Sequence, residues 1–83
     1  MNVTVKYFAS IREALGLSHE VLQTQALTLG DLRTELIARG DHYAQALARG
    51  RAVRMALNQT LSEESAVLID GCEVAFFPPV TGG

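Results

Sequence analysis

The sequence predicts an α+β fold, a mixed sheet packed on one main helix, and three observations lead there. Apolar and polar residues alternate at residues 2–8 and again at Glu73–Phe77, as they do in strands with one face buried. Between them, Leu29, Leu32, Leu36 and Ile37 keep the i, i+3, i+7, i+8 rhythm of a helix with one buried face. The resulting order is strand, short helix, strand, long helix, then several strands, which sets one layer of helix against one sheet. With 83 residues there is room for a single domain.

Each element has a local reason. In residues 2–8, Val3, Val5 and Tyr7 point one way and Thr4, Lys6 and Phe8 the other. Ser10 followed three residues later by Glu13 is a capping-box pattern, so a short helix is expected to start there and stop at Gly16. Residues 19–24 read as a second strand. Thr28 is the expected cap of the long helix. Asp31 stands in its first turn, where a negative charge meets the positive end of the helix dipole, and Gly40 is its expected C-cap. Residues 41–49 read as a further helical turn or two, closed by Gly50. Residues 52–58 return to period two, with Val53, Met55 and Leu57 on one face, Asn58-Gln59 as a turn and Thr60-Leu61 as the start of a short strand.

Asp70-Gly71 marks a turn before the last strand, in which Val74 and Phe76 face one way and Ala75 and Phe77 the other. Pro78-Pro79 ends that strand, because proline has no N–H to donate to a ladder. The domain is thus expected over residues 1–77, with an extended tail over residues 78–83. If Val3, Val5, Tyr7, Val74 and Phe76 face the helix, Phe8 and Phe77 are left on the open face of the sheet. A partner surface accounts for two aromatics there; the alternative is a ring folded over an edge.

Composition excludes several classes. Seven Lys and Arg stand against nine Asp and Glu, a net charge of −2 with no basic block, so no nucleic-acid partner is expected. The single cysteine, Cys72, leaves no internal disulfide and fits a reduced, cytoplasmic protein. The alternating N-terminus is not a signal peptide, and no apolar run approaches a membrane span, so no membrane partner is expected.

The sequence closes on FFPPVTGG. Pro78 and Pro79 stiffen the exit from the sheet, Val80 and Thr81 continue it, and Gly82-Gly83 strips the tip of side chains. Six extended residues reach about 20 Å, and glycine permits close approach to another backbone. The tail therefore reads as a probe, stiff at its base and slim and flexible at its Gly-Gly tip. Its one functional group is the α-carboxylate of Gly83, a poor electrophile until another enzyme activates it. Catalytic side chains are not evident. There is no Ser/His/Asp arrangement and no phosphate-binding glycine loop, and His19 and His42 stand far apart without a second ligand nearby, so no metal site is expected. Cys72, beside a strand, is read as a small packed residue, with a nucleophilic or redox thiol as the alternative.

Three stretches, KYFASIRE, ALNQ and DGCEVAFFPPVTGG, carry a resemblance over the whole chain to the small subunits of molybdopterin synthase, sulfur carriers of the ubiquitin-like β-grasp type. One departure is Cys72, where the family commonly has an acidic residue. The resemblance implies that Gly83 is adenylated by an enzyme similar to ubiquitin-activating enzymes, with ATP used by that partner and no cofactor bound by the chain. A sulfurtransferase or cysteine desulfurase then supplies the sulfur of a thiocarboxylate. It further implies that the tail, Pro78 to Gly83, enters the large synthase subunit and gives sulfur to cyclic pyranopterin monophosphate, building the dithiolene. The usual complex holds two small and two large subunits, and the chain is a donor subunit, not an enzyme alone. By the same match Phe8, Arg12, Leu61 and Phe77 are docking residues, although Arg12 also reads as a solvated helix residue. The alternatives are a carrier for thiamin or tRNA thiolation, a modifier joined to lysines through Gly83, or an interaction module with an incidental tail.

Overall fold

The strand β1 (Asn2–Tyr7) lies inside the sheet, with β2 (His19–Gln23) antiparallel on one side and β5 (Glu73–Phe77) parallel on the other. β3 (Arg54–Leu57) adds antiparallel to β5, and β4 (Thr60–Ser62) closes the order β2-β1-β5-β3-β4. The computed structural model describes residues 1–79. Three helices cover one face: α1 (Ala9–Leu15), α2 (Leu29–Ile37) and α3 (Asp41–Leu47). The parallel β1–β5 pair needs a long crossover, and here the crossover carries all the helices. This is the mixed, helix-gripping sheet of a ubiquitin-like β-grasp.

Strand parity sets the core. Val3, Val5, Tyr7, Val74 and Phe76 turn inward and are buried together with Leu29, Leu32, Leu36 and Leu47. The Tyr7 and Phe76 rings stack at 6.2 Å between centroids, as their register pairing allows. The cap of α2 is as expected: the Asp31 N–H donates to Thr28 Oγ1 at 3.1 Å. Arg33 is buried on α2 and donates to the carbonyls of Leu47 (2.7 Å) and Ala48 (3.0 Å), satisfying the end of α3.

Two expectations fail. Ser10 does not cap α1. The helix starts at Ala9 from an extended Phe8 with no side-chain cap, because the chain turns out of β1 through Ala9 at φ 51°. The Phe8 carbonyl then accepts from the N–H groups of Ile11 (3.1 Å) and Arg12 (3.3 Å), placing Ser10 inside the first turn. Gly40 is likewise not the C-cap of α2. That helix closes at Ala38, whose N–H reaches the Thr34 carbonyl at 3.1 Å, with no left-handed residue needed. Gly40 instead leads into α3, its carbonyl accepting from Ala44 at 2.9 Å. Gly16 does end α1, left-handed at φ 75°.

Candidate functional site

The open face of the sheet carries the side chains that parity turns away from the helices. Lys6, Ala75 and Ala56 form a row across β1, β5 and β3, and Leu61 on β4 pairs with Ala56. Ala56 and Ala75 are buried although no helix covers them. Small residues here make a floor, and larger neighbours form walls. The result is a shallow depression of about 520 Å³ lined by Lys6, Phe8, Ala56, Gln59, Glu73, Ala75 and Phe77. Phe8 is 45% and Leu61 63% exposed, while Phe77 is half-buried against the floor. Exposed apolar residues also occur elsewhere, at Val21, Leu27, Val67 and Ile69, but here two aromatics gather around one depression, which fits a docking face.

One ion pair lies within it. Lys6 Nζ is 3.1 Å from Glu73 Oε1, linking β1 to β5, with the two side chains 41% and 27% exposed. The remaining ion pairs among the described residues (Arg33–Glu64, Arg49–Glu64 and Arg39–Glu20) sit outside the depression.

The face leads to the chain's exit. Phe77 pairs with Arg54 at the end of β5, and the Phe8 N–H donates to the Phe76 carbonyl at 3.1 Å. Pro78 then borders a groove of about 490 Å³, formed with Ser10, Ile11 and Ala14 of α1, Gln45 and Ala46 of α3, and residues 51–53. Arg12 is exposed on α1, one turn beyond Phe8. The structure thus brings Phe8, Phe77 and the prolines to one end of the sheet, with Leu61 across it on the edge strand. Val80, Thr81, Gly82 and Gly83 lie outside the described residues.

The opposite face holds a polar network with a structural task. Glu20 accepts from Tyr7 Oη (2.8 Å), Tyr43 Oη (2.8 Å) and Arg39 Nη1 (3.0 Å). Burial pushes the Glu20 carboxyl up, but the hydrogen bonds from Tyr43, Tyr7 and Arg39 outweigh it and hold it below the usual range. Burial, reinforced by Glu20, raises Tyr7 far above an ordinary phenol. Tyr7 stays neutral at physiological pH and acts as a donor.

Cys72 is buried as part of the hydrophobic core, its N–H bonded to the Ile69 carbonyl at 3.1 Å. His19 and His42 are exposed. Among the described residues no group of three or more His, Cys, Asp or Glu is placed to hold a metal ion. Among them, too, no helix is long and apolar enough to cross a membrane. Sequence reasoning singled out the aromatic walls and missed the alanine floor and the Lys6–Glu73 pair. Parity puts Lys6 on the side of Phe8, and Glu73 and Ala75 on the side of Phe77. The missing information was which strands are neighbours.

The chain is similar to known proteins over its whole length. The ThiS family matches over residues 5–83. The molybdopterin synthase sulfur carrier subunit of Escherichia coli is 42% identical over 98% of this chain and 99% of its own. Among solved structures, the complex of subunits 1 and 2 of the molybdopterin-converting factor from Helicobacter pylori contains a chain 28% identical to this one. The match covers both chains fully with a TM-score of 0.70. SAMP1 from Haloferax volcanii, 22% identical with full coverage of both chains and a TM-score of 0.77, shares the fold.

Proposed function

The chain belongs to the ThiS family, and on that footing we propose that it is the sulfur carrier subunit of molybdopterin synthase. The observation that carries the reading is full-length similarity to carriers of that name, on a chain whose apolar sheet face leads into Pro78-Pro79 and the closing Gly82-Gly83.

The chemistry is confined to Gly83. Its carboxylate attacks ATP on an E1-like activating enzyme, giving an acyl-adenylate and pyrophosphate. A persulfide sulfur delivered by a sulfurtransferase or cysteine desulfurase displaces AMP to give an acyl disulfide, and a second thiol cleaves its S–S bond, leaving the thiocarboxylate and a disulfide on the donor. The large synthase subunit receives the tail, and each thiocarboxylate gives one of the two dithiolene sulfurs to cyclic pyranopterin monophosphate, water returning its acyl carbon to the carboxylate. Two carriers serve two large subunits in a cytoplasmic heterotetramer. The chain's own part is to dock and to deliver. Phe8, Leu61 and Phe77 supply apolar contact, with Arg12 at the rim, and Pro78 and Pro79 direct Val80, Thr81 and Gly82 into the partner. No bound cofactor or metal is required for this, and the acid–base groups belong to the partner.

Only a free terminal carboxylate can be activated in this way. Adding one residue after Gly83 is therefore expected to abolish sulfur transfer in a reconstituted synthase assay while leaving the thermal midpoint of the domain unchanged. Normal transfer by the extended chain contradicts the proposal.

A further inference from the structure

The ion pair in the docking face poses a problem for any partner that covers it. Lys6 Nζ has three protons to donate, and one is directed at Glu73 Oε1. Glu73 has a second carboxylate oxygen with no partner among the described residues. Both side chains are now partly wetted, Lys6 the more so. A partner seated on Phe8, Phe77 and the alanine floor removes that water, because all of them line one depression. A wholly apolar partner surface would leave charged donors and acceptors unsatisfied, which is costly.

We propose that the Lys6–Glu73 pair is a specificity determinant of docking. The protein surface that covers it carries a carboxylate facing Lys6 and a hydrogen-bond donor facing Glu73. This rests on the carrier reading and deepens it, since it states the chemistry the large subunit presents to this face. Lys6 takes the carboxylate because it is the more exposed member and keeps free donors. Its cross-strand neighbour His19 and the nearby Gln59 supply no anion. The pair is continuous with the apolar docking surface and contributes discrimination between partners more than adhesion, as complementary interface charges do.

Reversing the sign order tests this directly. The double variant Lys6→Glu/Glu73→Lys rebuilds the internal pair on the same two strands, so that only an external partner reads the change. Its affinity for the large subunit, measured by titration calorimetry, is expected to fall about thirtyfold or more at an unchanged thermal midpoint. Should the reversed chain be destabilised, Lys6→Gln/Glu73→Gln decides, with an expected loss of about tenfold. Lys6 is the one lysine of the sequence, so acetylation of its side-chain amine gives a clean footprint, and complex formation is expected to suppress it. Affinity within threefold of the parent for either folded variant, or acetylation of Lys6 undiminished in the complex, overturns the inference. So does a dimer of the free chain that the reversal dissolves, since the complement would then be a second copy. A parent chain that fails to bind the large subunit at all overturns the carrier reading instead.

Discussion

Phe77 stands where the domain becomes the tail, its ring half-buried on the open face and its backbone paired with Arg54. Its neighbour Phe76 points the other way into the core, fully buried. Adjacent phenylalanines thus divide between the core and the open face, a division that period-two alternation made legible in the sequence; the proposed docking falls to Phe77. Phe77→Ala is expected to weaken binding to the large subunit by about 2 kcal/mol, as for a central aromatic anchor. The accompanying loss of stability is expected to be below about 1 kcal/mol, since the ring rests on alanines and is not enclosed. Calorimetric affinity and urea denaturation of the same variant check both figures. Equal losses would make Phe77 a core residue. The residue-scale features that escaped the sequence are pairings between distant positions: Lys6 with Glu73, and Ala56 beside Ala75.

At the scale of elements, the network around Glu20 ties the edge strand β2 to β1 through Tyr7, to α3 through Tyr43, and to the turn after α2 through Arg39. The carboxyl of Glu20 has a depressed pKa in the folded chain. Its contribution to stability is therefore present above the ordinary carboxylate pKa and is lost as pH falls through the folded value. Glu20→Gln is expected to lower stability by about 1–3 kcal/mol near neutral pH. The gap from the parent should narrow in acid, below the ordinary carboxylate range, as Glu20 takes up its proton. Urea denaturation of both chains at the two pH values measures it, and a gap that does not change with pH would assign the effect to hydrogen-bond geometry and not to charge. None of this network was legible beforehand, because its members are far apart in sequence and Glu20 sits in a strand whose alternation is weak. Elements with purely local signals were legible: the Thr28 cap, the left-handed Gly16 and the Asn58-Gln59 turn, where both residues have positive φ. The capping box at Ser10 misled because the sharp turn at Ala9, set by the exit of β1 beneath the helices, moved the helix start.

The whole molecule keeps its one thiol out of the proposed sulfur chemistry. The Cys72 thiol is sealed in the core, and the carboxylate proposed to carry sulfur belongs to Gly83, beyond the prolines. On the proposed reading the apolar sheet face docks, and it ends where Pro78-Pro79 begin the tail. The most direct test is the intact mass of the chain after incubation with the adenylating enzyme, ATP and a sulfur donor. The account predicts a gain equal to one oxygen replaced by sulfur, mapped by fragmentation to Gly83 and absent from a chain lacking that residue. Sulfur found on Cys72, or no gain while the same enzyme charges another carrier, would contradict it.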